Sequence, residues 1–135
     1  MEKLRPSSIR FDIPVSGNLI RGFKDDGSHH GLDIGCNEGT VVKNAREGKV
    51  VSVGEDKNIY GNFILIDHGG QWQTLYAHLS KINVSKGDHI WENTAIGLSG
   101  GTKGESGSGN SEGPHLHFEI RVGGKAIDPK PLLKG

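Results

Sequence analysis

Seven histidines carry most of the chemistry available to this chain: His29, His30, His68, His78, His89, His115 and His117. Neutral imidazole is the commonest metal ligand, but most histidines sit on a surface or in a hydrogen bond, so spacing must single out the reactive ones. In His115-Leu116-His117-Phe118-Glu119-Ile120-Arg121, the apolar Leu116, Phe118 and Ile120 alternate with polar residues. That period of two predicts a strand with one apolar face. His115 and His117 then share the other face, roughly 6–7 Å apart at Cα, close enough to serve one centre directly or through a water. Two such imidazoles resist joint protonation, and a metal removes the difficulty.

A second pair lies near the other end of the chain. In His29-His30-Gly31-Leu32-Asp33-Ile34, Leu32 and Ile34 again alternate with Asp33. If the stretch is extended, His29, Gly31 and Asp33 project to one side, and the central glycine would leave room between the other two. His-x-x-x-Asp offers one nitrogen and one oxygen, both donor types that zinc accepts. Three protein ligands with an open fourth position make a catalytic zinc site, whereas four closed ligands make a structural one.

The elements that must position these pairs are short and β-like. Val41-Val42-Lys43, Lys49–Val53, Asn62–Asp67 and Trp72–His78 are separated by turn signals at Arg46-Glu47-Gly48, His68-Gly69-Gly70, Lys86-Gly87-Asp88 and Gly123-Gly124. Such spacing predicts a mainly β fold, an antiparallel sheet or sandwich. Residues 1–11 read as a polar entry with edge-strand character, and Leu79–Ile82 as one helical turn. No boundary or repeat divides the chain, so residues 1–135 are expected to form one domain.

Composition narrows the partners. The 135 residues carry a formal net charge of +0, which argues against nucleic acid or an anionic membrane as the main partner. The longest apolar run, Phe63-Ile64-Leu65-Ile66, is far short of the ~20 residues of a membrane span. Met1–Pro6 is polar and leads into no apolar core, so no signal peptide is expected in this stretch. Cys36 is the lone cysteine, which excludes an internal disulfide, and it reads as a small buried hydrophobe rather than a nucleophile.

Glycine is abundant at 22 residues, and Gly101–Gly113 has almost no apolar side chain. That segment is expected to be a mobile surface loop. It lacks the Gly-Lys-Ser/Thr spacing of a phosphate loop, but its place directly before His115 makes it a candidate wall of a site. His68 and His89 follow turn residues and are expected to be structural. Tyr60, Asn62 and Tyr76 could line a groove, with packing the expected role of the aromatics.

Taken together, these motifs resemble the lysostaphin/LytM-type metallopeptidases, peptidase family M23, whose members cut glycyl-glycine bonds and cross-links. The resemblance runs from about residue 11 to 133 and includes His29-His30-Gly31-Leu32-Asp33-Ile34, Tyr60-Gly61-Asn62, Asp67-His68-Gly69, Leu75-Tyr76-Ala77-His78-Leu79-Ser80 and Gly113-Pro114-His115-Leu116-His117-Phe118-Glu119. It implies an antiparallel β-sheet groove walled by loops. It places zinc on His29, Asp33 and His117, and gives His115 and His78 catalytic roles. Two departures bear on substrate preference: a longer Gly97–Gly113 segment, which could partly cover the groove, and Gly35-Cys36-Asn37 after the Asp33 strand.

The implied activity is zinc-dependent hydrolysis of cross-bridge or stem peptides of bacterial peptidoglycan through a metal-activated water. His78 and His115 could accept a proton, orient the water or stabilise the tetrahedral intermediate, and which of them is the general base stays open. The expected partners are peptidoglycan peptides, with the domain acting as a monomer. The expected place of action is the cell wall, periplasm or secreted space, or the wall as met by a phage-encoded lysin. A non-catalytic binding or amidase-activating relative is the rival reading. The five intact site positions argue against it. The Lys86–Ile90 resemblance to a lipoyl or biotinyl carrier hairpin fails for want of a tip lysine.

Overall fold

Among the described residues, runs of β-branched and aromatic residues, cut by glycine turns, fold into eleven short strands. The computed structural model of the chain describes residues 9–105, 107–111 and 113–134. The strands are β1 (Asn18–Arg21), β2 (Leu32–Gly35), β3 (Val41–Lys43), β4 (Gly48–Asp56), β5 (Gly61–Gly69), β6 (Trp72–Ala77), β7 (Leu79–Ile82), β8 (His89–Ile90), β9 (Ala95–Ser99), β10 (His115–Val122) and β11 (Lys125–Ile127). Seven of them form one sheet in the order β1-β2-β10-β6-β5-β4-β8, with β11 paired alongside β10. A second sheet has the order β3-β9-β7. Every named pair is antiparallel, as the alternating patterns predicted.

The apolar alternation in β10 becomes the core. Leu116, Phe118 and Ile120 are fully buried, together with Ile64, Ile66, Val42, Ile96 and Leu79. Tyr76 packs its ring 5.4 Å from that of Phe118. With Phe118 committed to the core, its neighbour His117 must project from the other face of the strand.

Three local expectations need correction. Leu79–Ile82 is strand β7 rather than a helical turn, because β9 supplies its hydrogen-bonding partners and Leu79 is wholly buried. A four-residue stretch takes its structure from such neighbours, not from local propensity. The polar entry ends in core: Ile9 and Phe11 are buried, and Phe11 bridges Leu133. Residues 1–8 lie outside the described residues. Gly31 leaves no room for a ligand, since a Cβ there would sit 2.3 Å from the Phe118 carbonyl oxygen. The glycine instead lets the chain entering β2 lie close against β10.

His68 is structural, as expected. Its Nδ1 is 2.8 Å from the Glu47 carbonyl oxygen and its Nε2 is 2.8 Å from Thr74 Oγ1. Since a carbonyl only accepts, Nδ1 carries a proton toward Glu47. Thr74 and Asn44 both bond the fully buried Tyr76 hydroxyl, which ties the 44–47 turn to the sheet. His89 pairs with Glu47 at 2.8 Å on the surface.

Candidate metal centre

The centre of the large sheet brings the two sequence motifs together. In the β2–β10–β6 register, Asp33 lies opposite His117, His117 opposite Ala77, and His115 opposite Gly35. Residues directly opposite in an antiparallel pair point to the same face, so one row gathers Asp33 and His117 with His115 beside them. His29 precedes β2 and is positioned by its bridge to Lys24. His78 follows β6 at φ 62°, in the left-handed region. That conformation costs of order 1 kcal/mol for a residue with a Cβ, and it turns the imidazole from the strand's end into the site.

His29, Asp33 and His117 each offer a donor atom within 4.8 Å of the other two. His29 Nε2 is 3.1 Å from Asp33 Oδ2, and His117 Nδ1 is 2.7 Å from Asp33 Oδ1. All three residues are buried. His115 Nε2 approaches Asp33 Oδ1 at 3.5 Å, and the His78 and His115 rings are 4.9 Å apart. His30 is not part of the trio. It is exposed at the rim of an open cleft of about 550 Å³ that holds all five predicted site residues. Ile20 and Arg21 line one side of this cleft, with Ile59 and Tyr60 among its other lining residues.

Three histidines of the site are anchored through Nδ1 to a backbone carbonyl. His29 Nδ1 is 2.8 Å from the Gly22 carbonyl, His78 Nδ1 is 2.7 Å from that of Ser108, and His115 Nδ1 is 2.8 Å from that of Gly113. These carbonyls can only accept, so each of the three rings donates from Nδ1 and turns its Nε2 toward the site. For His78, burial first and the neighbouring His115 second press the pKa down to about 4, so this ring is neutral at physiological pH.

His117 is anchored differently, by a carboxylate at each nitrogen: Asp33 at Nδ1 and Glu119 at Nε2, the latter at 2.8 Å. Burial alone would lower its pKa, but the bonds and charges of Asp33 and Glu119 outweigh it and raise the value to about 9. Burial would likewise raise Asp33, yet His117 and the other histidines hold its carboxylate below the usual range. A positive charge is thus already favoured between Asp33 and His117. A divalent cation fits the same donor set, with the His117 Nδ1 proton displaced.

Glu119 was not singled out in the sequence. It is 1% exposed and also accepts from the Tyr60 hydroxyl at 2.7 Å and from Arg121 Nε at 2.8 Å. Tyr60 stacks on the His117 ring with centroids 5.7 Å apart, so it lines the site, whereas Tyr76 is core. The signal for Glu119 was present: it continues the polar face two residues beyond His117.

The fold and site together define an antiparallel β domain with a candidate metal centre. Residues 27–129 match the family described as Peptidase family M23. The chain is 36% identical over 128 residues to Outer membrane antigenic lipoprotein B of Haemophilus influenzae, covering 94% of this chain and 30% of that protein. It is 42% identical over 113 residues to lysostaphin of Staphylococcus simulans, covering 80% of this chain and 22% of that protein. A zinc-containing peptidase from Vibrio cholerae superposes with a TM-score of 0.78 at 31% identity, over 89% of this chain and 39% of that one. The chain belongs to peptidase family M23, and its mostly antiparallel β fold is that of the lysostaphin-type members.

Proposed function

We propose that this chain is a zinc-dependent endopeptidase that hydrolyses cross-bridge or stem peptides of bacterial peptidoglycan. The carrying observation is the convergence of His29, Asp33 and His117 within 4.8 Å, with the His115 and His78 rings beside them in one open cleft. Family membership and the names of relatives such as lysostaphin support the reading. We assign zinc to His29 Nε2, Asp33 and His117 Nδ1. Bound there, zinc would supply the Lewis acidity that polarises a scissile carbonyl and brings the pKa of water toward ~7.

The remaining work falls to the chain's own groups. Asp33 supplies the negative charge that offsets the cation. His78 and His115, each held at Nδ1 by a backbone carbonyl, present Nε2 on the cleft side, where it can take a proton and pass it to a leaving amine. The open cleft of mixed polar and apolar lining, with Ile20 and Ile59 exposed, suits an extended peptide. The active unit is residues 1–135, with its core at about 11–133, working as a monomer outside the cytoplasm or as a phage lysin at the wall.

The test is direct. Purified protein should hold about one zinc, and chelation should stop peptide release from purified cell walls until zinc is restored. Release that is indifferent to chelation would sink the proposal. Mass spectrometry of fragments from walls with glycine bridges and walls with direct cross-links identifies the bond.

A further inference from the structure

The 101–113 segment looks by composition like a slack surface loop, yet its backbone is fitted to the site. The Gly107 carbonyl accepts from Asn62 N–H at 2.8 Å, and Asn110 N–H donates to the Ile59 carbonyl at 3.0 Å. The fit is close: a Cβ on Gly61 would sit 2.0 Å from the Gly107 carbonyl oxygen, and one on Gly109 would sit 2.3 Å from Gly61 N. Two serines of this segment are buried, Ser108 at 3% and Ser111 at 5% exposure. A polar side chain is buried only where its bonds are made.

Ser111 makes them at the base of His115. Its Oγ is 2.6 Å from the Gly101 carbonyl oxygen and 2.8 Å from the Gly113 carbonyl oxygen, and it accepts from Gly113 N–H at 3.3 Å. The same oxygen lies 3.2 Å from His115 Nδ1. Gly101 and Gly113 begin and end the segment, so one hydroxyl closes it. The Gly113 carbonyl it holds is the acceptor that fixes the His115 tautomer. We infer that Ser111 is a positioning residue for His115: its hydroxyl pins Gly113 so that the His115 ring keeps its proton on Nδ1 and turns Nε2 to the cleft. The inference rests on the catalytic role proposed above for His115.

Ser111 touches none of the three proposed metal ligands, which makes its effect separable from metal binding. In the zinc-loaded enzyme, Ser111→Ala should lower kcat roughly 10–100-fold while KM moves less than about threefold and zinc content is unchanged. Ser111→Thr, which keeps the hydroxyl, should recover most of the loss. Nitrogen-15 spectra of the imidazoles provide a readout independent of turnover. The Nδ1-protonated signature of His115 should be clear in the wild type and Ser111→Thr, and averaged between tautomers in Ser111→Ala. An unchanged kcat or an unchanged His115 signature in Ser111→Ala overturns the inference, as does a Ser111→Thr variant as impaired as the alanine. If the wild type proves inactive but the His115 signature responds as stated, the peptidase reading falls and the positioning role stands.

Discussion

His117 is buried and His68 half-buried, and both have two engaged ring nitrogens, yet their partners drive them to opposite charge states. His117 lies between the Asp33 and Glu119 carboxylates, which lift its pKa to about 9 against the pull of burial. His68 lies between a backbone carbonyl and a hydroxyl. Burial therefore prevails, and its pKa falls below the ordinary value. The difference is that a carboxylate pair prepares a place for a cation, while a carbonyl–hydroxyl pair selects a neutral tautomer and serves packing. One sheet thus carries a candidate metal centre and a structural histidine built from the same side chain.

The comparison can be broken most forcefully at the first site. His117→Ala should abolish stoichiometric zinc binding and reduce wall hydrolysis to background, as measured by metal analysis and peptide release. His68→Gln should leave zinc stoichiometry intact. Equal metal loss in both would erase the distinction between the two regions.

Next in size are the histidines with anchored Nδ1. His78→Ala and His115→Ala should each retain zinc and lose roughly 10²–10⁴-fold in kcat, the range for a positioned acid–base group. Full activity in either variant would remove it from the proposed machinery.

Glu119→Gln should have an intermediate effect. It keeps a hydrogen-bonding group at Nε2 of His117 but removes one of the two charges that distinguish this histidine from His68. Zinc affinity should weaken about 10–100-fold, readable by competition with a chelator. An unchanged affinity would mean that Asp33 alone makes His117 a ligand.

The smallest effect belongs to His68. Its native pKa lies below the unfolded value of about 6.5, so the native state binds fewer protons as pH falls past that point. The stability it contributes is complete above pH ~6.5 and is lost as pH drops through the native pKa. Arg46 reinforces the shift, while Asp67 and the Glu47 carbonyl oppose it. Thermal unfolding of His68→Gln should therefore depend less steeply on pH in the acid range than that of the wild type. Identical slopes would show that His68 is not held neutral.

Much of the site was legible because β-strands write their geometry into alternation. His115 with His117, and Asp33 against Leu32 and Ile34, announced polar faces opposite apolar ones. The first and third of the proposed ligands required resemblance to a family to be chosen over their neighbours His30 and His115. Glu119 was readable on the same strand face but carries no ligand spacing, and Tyr60 looked like packing. The 101–113 segment misled because its contributions are mostly backbone carbonyls, which composition does not reveal. Leu79–Ile82 misled because four residues are too few for a period to declare itself.

By itself, the sequence determined that this chain forms short antiparallel strands, that His115 with His117 and His29 with Asp33 make two patterned pairs, and that its formal net charge is +0. Those properties follow from side-chain order along a strand, where a period of two separates core from face. Only the tertiary structure decided that Nδ1 of His29, His78 and His115 is the nitrogen bonded to a backbone carbonyl, that Glu119 backs His117, and that a glycine-rich segment anchors His78 and His115. Such facts depend on backbone carbonyls and residues 30 to 84 positions apart meeting at bonding distance, and no local pattern encodes that meeting.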